Sequence, residues 1–588
     1  MKDFWKTVLA SALGMLIMNI VFFFLTISMF ASMAAMTMEG SGVVAVPSNA
    51  VLDINMSELL IAEQTLEENP FAGMYSAAGS AAAGQEKRTV GILDATIALE
   101  KASVDPSVKM AYLRPDMAED ISHLEEFRIA LEKFRASGKP VVAYIETPTN
   151  AGYYLASVAD RIYMSGYHGG MNMLVGISGR MLFLKDLLDK LGVNVQLIRH
   201  GKYKSAGEMY IRNSASPENM EQNSVMIQGI WKEIVAPMAA RAGISTEEFN
   251  SFIDNLELAE PQDFVDKGLV DELVDMDSMK AKLCSLTNSS DFSEINSISL
   301  ADYASLNSKS TTKSKDRIAV IYADGEIIDG REKEEVAGKR FADIIDKVRT
   351  NNAVKGVVLR VNSPGGSVIA ASQIKDAVDA LSKEKPVIAS YGSYAASGGY
   401  WISAGCEYIF SDATTLTGSI GVFGMIPDFS KTLKDIAHVN ITAVPSNKHS
   451  DMYSFMRPLD SEEVAFIQKD IENIYVQFTS LVAEGRKMDV SRVDELGQGR
   501  VWTGRDALAN GLVDRIGTLQ DAVEYMAQVA GCPDYKILSY PKPLTFMEQI
   551  MESVSPTEEN YLVKIYNEVE GSKQAKVYAR MPYTFEIR

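Results

Sequence analysis

Short apolar runs alternate with longer amphipathic stretches through the second half of the chain. Four runs are typical of buried strands, and the stretches between and after them have the apolar spacing of helices. The strand-like runs cover residues 317–322, 356–361, 385–391 and 408–410, and the clearest helical stretches cover 371–381 and 470–484. Strands that alternate with helices predict parallel β-α units, in which ligands bind at the carboxyl ends of the strands.

The first forty residues have a different pattern. No charged residue lies between Lys6 and Glu39, and the apolar run over residues 8–30 is long enough to cross a bilayer as a helix. Lys2 and Lys6 precede this run, so the positive-inside rule keeps the N-terminus cytoplasmic and places everything after residue 40 across the membrane. A cleaved signal peptide is the alternative, because residues 31–35 include small side chains, but the apolar run exceeds the usual length. We therefore expect an uncleaved membrane anchor over residues 1–40.

The pattern also repeats within the chain. Residues 108–165 align with residues 354–411 at a constant offset of 246, so that Leu113 and Arg114 match Leu359 and Arg360. Two homologous α/β domains explain this alignment. We expect the first repeat over residues 41–283 and the second over residues 317–588, with a helical tail at its C-terminal end. Residues 284–316 are rich in Ser, Asn and Thr, which predicts a polar linker between the repeats.

Composition excludes several classes of function. Among 588 residues, 77 acidic and 57 basic side chains give a formal charge of −20 with no basic stripe, which argues against a nucleic-acid partner. The three cysteines lie far apart and the five histidines form no ligand-spaced pair, so neither a metal site nor a disulfide framework is indicated. Walker A, GxGxxG and HExxH motifs are absent from the sequence, and no cofactor is expected.

One serine stands where a strand-like run gives way to a helix-like run. Ser397 is followed by Gly398 and Gly399 at a helix start, where free N–H groups and small residues would let a peptide backbone approach. An ordinary Ser N-cap is the simpler interpretation of this stretch alone.

The two repeats differ in their chemically distinctive residues. At the offset of 246, Ser397 falls on Ala151, and the glycine-containing loop 362–366 falls on the acidic loop 116–120. Conversely, Lys204 of the first repeat falls on Ser450 of the second. A serine without a nearby histidine needs another base, and a lysine serves if burial keeps it neutral. Taken alone, Lys204 or Lys202 is more often a solvated surface lysine. The partition predicts one site that straddles the two repeats.

These residues carry a resemblance to a known family. The chain resembles the signal peptide peptidase A family, also called protease IV, in its long, tandem-repeat, membrane-anchored form. The motifs are the N-terminal anchor and the segments 203–206, 362–367, 396–400, 417–421, 499–504 and 511–514. The resemblance implies a Clp-protease/crotonase-like fold in each repeat and a homotetramer on the outer, periplasmic face of the bacterial cytoplasmic membrane. It also implies proteolysis of signal peptides.

The resemblance also implies roles for individual residues. Ser397 matches the nucleophile and Lys204 the general base, while backbone N–H groups of Gly365, Gly366 and Gly398 would form the oxyanion hole. Ser419 is a candidate for orienting the lysine amine.

The sequence departs from the family pattern at two positions. Glu208 stands where a more apolar continuation is expected, and Lys202 lies close enough to Lys204 to be an alternative base. Two other functions remain open at this point, an enzyme that binds acyl-CoA on a crotonase-like fold and a membrane scaffold without catalysis.

Overall fold

A computed structural model provides the structure, and it describes residues 14–15, 18, 21, 45–65, 87–118, 121–167, 172–307, 312–333, 335–542 and 577–581. The predicted anchor, residues 1–40, lies outside this part of the chain except for residues 14, 15, 18 and 21. Within the described ranges, no helix combines the length and apolar content needed to span a bilayer.

The first repeat is built on a parallel sheet with helices around it. Its strands are β1 (Ala50–Asn55), β2 (Leu59–Ala62), β3 (Arg88–Gly91), β4 (Val108–Arg114), β5 (Val141–Ile145), β6 (Arg161–Met164), β7 (Asn194–His200), β8 (Glu272–Leu273) and β9 (Ser297–Ser299). Its helices are α1 (Ile92–Val104), α2 (Ile121–Ala136), α3 (Asn150–Ala156), α4 (Lys185–Lys190), α5 (Glu208–Ile211), α6 (Pro217–Ala242), α7 (Thr246–Asp254), α8 (Pro261–Asp266), α9 (Met276–Thr287) and α10 (Leu300–Asn307). The sheet has the order β8-β6-β5-β4-β1-β9, and β2 pairs with β3 apart from it.

The second repeat has a corresponding sheet. Its strands are β10 (Arg317–Asp324), β11 (Ile327–Ile328), β12 (Val336–Ala337), β13 (Val354–Ser363), β14 (Gly365–Ser367), β15 (Val387–Ala396), β16 (Ile409–Ser411), β17 (Leu416–Gly418), β18 (Val422–Asp428), β19 (Val501–Thr503), β20 (Arg515–Ile516), β21 (Lys536–Tyr540) and β22 (Val577–Arg580). Its helices are α11 (Gly338–Thr350), α12 (Val368–Ser382), α13 (Gly398–Ser403), α14 (Ser461–Arg486), α15 (Val490–Leu496), α16 (Gly504–Asn510) and α17 (Leu519–Val529). The sheet order is β19-β17-β15-β13-β10-β21, with β16 and β20 branching from β15. Each strand and helix predicted from the pattern of this half is present.

A third, mixed sheet joins the two repeats, and it has the order β12-β11-β14-β22-β18-β7. Its last strand, β7, belongs to the first repeat and pairs along the whole of β18, from His200 opposite Val422 to Asn194 opposite Asp428. Since the loop after β7 carries Lys204, this pairing brings the first repeat's lysine toward the second repeat.

A buried charged cluster also ties the repeats together. The guanidinium of Arg360, on β13, donates to both carboxylate oxygens of Glu63 at 2.8 and 3.1 Å and to Glu126 at 2.7 Å. All three side chains are almost fully buried. Burial alone would raise the pKa of Glu63, but Arg360 and His123 more than offset it and hold that pKa at about 2. Removing one partner from such a cluster strands a buried charge, so the cluster fixes the two repeats in one arrangement.

The segment predicted as a polar linker forms part of the first repeat. Strand β9 lies beside β1, with Ile298 opposite Leu52, and α10 packs against α1. Ile298, Leu300 and Tyr303 are buried, and the Tyr303 hydroxyl donates to Asp105 at 3.0 Å. A few apolar residues among many Ser and Asn were enough to add a strand and a helix, which composition alone does not reveal.

Candidate active site

Ser397 lies at the sharp turn between β15 and α13. Its backbone has φ 57° and ψ −112°, a conformation that side chains other than glycine rarely adopt. The turn is held because the N–H of Ser397 donates to the carbonyl of Gly418 at 2.8 Å, and the N–H of Trp401 donates to the carbonyl of Ser397 at 2.8 Å. Gly399 is required here, since a Cβ would stand 2.7 Å from the carbonyl oxygen of Ser363. The predicted helix start is therefore present, with its serine in a strained position typical of functional sites.

Lys204 reaches the same place from the first repeat. It follows β7 in a loop that is pinned to the second repeat, because the N–H of Tyr203 donates to the carbonyl of Gln498 at 2.9 Å. Gly499 faces this loop so closely that a Cβ there would lie 2.5 Å from the nitrogen of Lys204. Arg199, on β7, donates to the carbonyl of Lys204 at 2.7 Å. These contacts fix the backbone from which the lysine side chain projects.

The two predicted residues meet in the interior. Nζ of Lys204 lies 2.8 Å from Oγ of Ser397, and both side chains are fully buried. The same Nζ lies 3.0 Å from Oγ and 3.1 Å from the carbonyl oxygen of Ser419. Ser419 is thus placed where it was expected, beside the lysine amine.

Burial lowers the pKa of the Lys204 amine and so favours its neutral form. Transfer away from water lowers the pKa of Lys204 well below the ordinary value of a lysine. Among the described residues no carboxylate acts on its pKa, and the Phe423 ring lies 6.0 Å from Nζ. A neutral amine in hydrogen-bond reach of a hydroxyl is the arrangement of a general base and its nucleophile.

The predicted oxyanion glycines come together beside Ser397. A Cβ on Gly398 would lie 3.1 Å from the nitrogen of Gly366, which shows how closely the two backbone segments approach. The N–H of Gly365, however, donates to Oγ of Ser363 at 3.2 Å. The N–H groups of Gly366 and Gly398 are therefore better placed to serve an oxyanion than that of Gly365.

The two departures from the family pattern have structural explanations. Lys202 is exposed, with Nζ 4.9 Å from the Tyr203 ring, so of the two lysines only Lys204 contacts the serine. Glu208 is buried but accepts hydrogen bonds from the N–H and hydroxyl of Ser216 and from Asn219. Burial would raise its pKa, and these hydrogen bonds lower it, so that the carboxylate is satisfied as an anion. An acid at this position is compatible with the lysine loop.

The matching place in the first repeat has different residues and different contacts. Ala151 is fully buried at the position that corresponds to Ser397. The carboxylate of Asp116 accepts hydrogen bonds from the N–H groups of Glu146 and Thr147 at 3.0 and 2.7 Å. The side chain of Asp116 thus binds the backbone of the loop after β5, and the repeat offers no hydroxyl at the position that corresponds to Ser397.

Within the described part of the chain, one cluster has side chains that could hold a metal ion, namely His449, Asp460 and Glu463. Arg457 donates to both oxygens of Glu463 at 2.7 and 2.8 Å, and Asp460 caps the start of α14. The guanidinium of Arg457 already neutralises Glu463, and the carboxylate of Asp460 accepts from the N–H of Glu463 at 2.9 Å, so we assign the cluster to the structure of this loop.

Comparison with known proteins agrees with this geometry. The model of peptidase family S49 matches residues 133–289 and 379–532, one segment in each repeat, and the model of the Clp protease family matches residues 309–439. The expectation of tandem α/β domains of Clp-protease type is confirmed at that level.

Similarity to individual proteins extends over most of the chain. It is 35% identical over 462 residues to Protease 4 of Haemophilus influenzae, covering 75% of this chain and 73% of that protein. It is 38% identical over 436 residues to Protease 4 of Salmonella typhi, covering 72% and 69%. A chloroplastic serine protease SPPA of Arabidopsis thaliana is 29% identical over 470 residues, covering 77% and 68%. Both the family model and these relatives lead to one conclusion: the chain belongs to peptidase family S49 and is a serine protease.

Proposed function

We propose that the chain is a membrane-anchored endopeptidase that uses Ser397 as nucleophile and Lys204 as general base. The observation that carries this proposal is the 2.8 Å approach of Nζ to Oγ in a site where burial lowers the pKa of the lysine. A lysine that is neutral at physiological pH can accept the serine proton, which a charged lysine cannot.

The geometry around Nζ supports the direction of proton transfer. A neutral amine has two N–H groups and one lone pair. If the two N–H groups donate to Oγ and the carbonyl oxygen of Ser419, at 3.0 and 3.1 Å, the lone pair is left for the hydroxyl of Ser397. Ser419 would then be a positioning residue that aims the base.

Catalysis would proceed by acyl transfer. Lys204 takes the proton of Ser397, and Oγ attacks the carbonyl carbon of the peptide while Gly366 and Gly398 donate to the oxyanion. The ammonium then protonates the leaving amine, and the ester on Ser397 is hydrolysed by a water that Lys204 deprotonates. Rate should increase from acid to alkaline pH, because only the neutral lysine is active.

We further propose that the substrates are extended apolar peptides, including cleaved signal peptides, taken at the outer face of the bacterial cytoplasmic membrane. Support comes from the apolar N-terminal run and from a putative signal peptide peptidase SppA of Enterococcus faecium, 35% identical over 36% of this chain and 62% of that protein. Assembly as a homotetramer is proposed on the family resemblance alone.

The two rival functions have less support. A crotonase-like acyl-CoA enzyme uses carboxylates as acid and base, whereas the groups around Ser397 are an amine and a second hydroxyl. A scaffold has no need of a serine held at a positive φ beside a buried lysine.

An active-site label and a matched pair of peptides test the proposal. A fluorophosphonate probe should acylate full-length protein at Ser397, identified by peptide mass, and the label should disappear in Lys204→Met but persist in Lys202→Met. In vesicles, the protein should degrade a synthetic signal peptide faster than a polar peptide of equal length. Labelling of Lys204→Met at the wild-type rate contradicts the role of the lysine, and equal degradation of both peptides contradicts the proposed substrate class.

A further inference from the structure

The last described residues of the chain lie in the active-site cleft. Strand β22 enters the mixed sheet between β14, which carries the oxyanion glycines, and β18, which lies beside the lysine loop. It is antiparallel to both, with Ala579 opposite Gly366, and residue 578 opposite both Ser367 and Phe423. The strand therefore makes backbone contacts on its two edges, as an extended peptide does when it is added to a sheet.

The register places one carbonyl group at the reacting position. A Cβ built on Gly398, the residue after the serine, would lie 3.1 Å from the carbonyl oxygen of Ala579. A Cβ on Gly365 would lie 2.1 Å from the same oxygen. The N–H of Met581 donates to the carbonyl of Pro364 at 2.7 Å and holds the chain beyond this point. The carbonyl of Ala579 thus lies against the glycine segments that would receive the carbonyl of a substrate.

The side chains alternate as in a bound strand. Ala579 is fully buried and Met581 nearly so, whereas the Arg580 side chain is 48% exposed and lies 3.3 Å from a Glu326 carboxylate oxygen. Because Ala579 is fully buried, a much larger side chain at this position would have to displace its neighbours. Removal of β22 would leave β14 and β18 about 10 Å apart, two strand spacings, which one extended peptide fills.

We propose that this segment, residues 577–581, is an intramolecular ligand of the peptide-binding groove. It competes with substrate, and substrate binds in the same position and orientation. The inference rests on the proposed function, since it assigns the groove of that same site. It names the substrate class as extended peptides with a small residue at the cleaved carbonyl. Peptide and β22 exclude each other because both require the same edges of β14 and β18.

The size of the effect follows from the tether. A ligand held on the same chain has an effective concentration of about 1 mM, so for a peptide of about 100 µM affinity the apparent KM rises about tenfold. The turnover number is unaffected, because a substrate that has displaced the strand meets an unchanged site.

Truncation and a peptide in trans test the proposal. In the full-length protein, ending the chain at residue 576 should lower KM for a fluorogenic peptide about tenfold at constant kcat. A synthetic peptide of residues 577–588 should inhibit this truncated protein competitively and full-length protein weakly. The same peptide with Trp in place of Ala579 is the matched control and should not inhibit, because its side chain does not fit. Unchanged KM on truncation, or equal inhibition by both peptides, overturns the proposal.

Two further measurements keep the result interpretable. If truncation lowers the melting temperature, Ala579→Trp in the intact chain should give the same fall in KM, and unchanged KM in that variant also overturns the proposal. Binding of fluorescein-labelled 577–588 to Ser397→Ala protein is read by anisotropy without any catalysis. If the truncated protein binds the labelled peptide tightly and the intact protein does not, the inference is supported even when peptidase activity is missing. An active enzyme whose KM is unchanged by truncation refutes the inference and leaves the proposed function standing.

Discussion

The difference in stability between wild type and Lys204→Met depends on pH in a way that reports the charge of the lysine directly. Methionine is similar in length and apolar, but it cannot take up a proton. Because burial lowers the pKa of Lys204, the folded wild type keeps this amine neutral at pH values where the unfolded chain, with an ordinary lysine pKa, binds a proton. Falling pH therefore stabilises the unfolded wild type, and its free energy of unfolding decreases by about 1.4 kcal/mol per pH unit through this group.

The variant lacks this dependence, while its other titrating groups are shared with the wild type. The stability of Lys204→Met relative to wild type should accordingly increase as the pH falls below the ordinary lysine pKa of about 10.4, by about 1.4 kcal/mol per pH unit for as long as the folded amine stays neutral. The lost hydrogen bonds between Nζ and the side chains of Ser397 and Ser419 shift the difference by a constant, about 1 kcal/mol each, and leave its slope unchanged. Urea unfolding followed by tryptophan fluorescence at four pH values measures it. A difference that does not change with pH means that the lysine stays charged in the folded protein, and it refutes the reasoning for a neutral base.

Three other predictions concern the serine turn, the cluster between the repeats and the oxyanion loop. Ser397→Gly should be more stable than Ser397→Ala by about 1 kcal/mol in thermal unfolding, because glycine tolerates φ 57°, and equal stability would contradict strain at this turn. Arg360→Met should cost about 3–5 kcal/mol in urea unfolding since it strands two buried carboxylates, whereas exposed Arg331→Met should cost under about 1 kcal/mol. Equal costs for the two arginines would refute a structural role of the cluster. Gly366→Ala should lower kcat at least about 100-fold, because its Cβ would lie 1.9 Å from a backbone carbonyl oxygen and would displace an oxyanion donor. A variant with wild-type kcat would exclude Gly366 as an oxyanion donor.

The sequence alone was enough to pair two residues that lie together in the structure, but it did not reveal that residues 297–307 add a strand and a helix to the first repeat. Ser397 and Lys204 were paired as candidates because each repeat has one of the two residues and lacks the other, a signal that needs no three-dimensional information. The strands and helices of the second half were found because buried parallel strands are continuous apolar runs. The structure then separated Lys204 from Lys202 and Gly366 from Gly365, which neighbouring positions in a sequence cannot do.

Features that depend on pairing between distant segments were not predicted. Strand β7 leaves its own repeat to pair with β18, and the short strand β9 is hidden in a polar stretch. A helical tail was expected at the C-terminal end, and residues 543–576 and 582–588 lie outside the described part of the chain. Residues 577–580 form strand β22 instead of helix, and its position depends on the edges that β14 and β18 offer. Arg360 aligned with Arg114 in the repeat comparison, but its role became visible only with Glu63 and Glu126 around it. The local sequence pattern predicts such elements poorly, because the segments with which they pair are far away in the chain.

The most direct test of the central claim is the steady-state kcat of full-length protein on a fluorogenic apolar peptide, compared among wild type, Ser397→Ala, Lys204→Met and Lys202→Met. The Ser–Lys account predicts that the first two variants lose activity at least about 1000-fold and to a similar extent, because nucleophile and base act as one unit. Exposed Lys202→Met should stay close to wild type. Substantial activity in either Ser397→Ala or Lys204→Met would contradict the account.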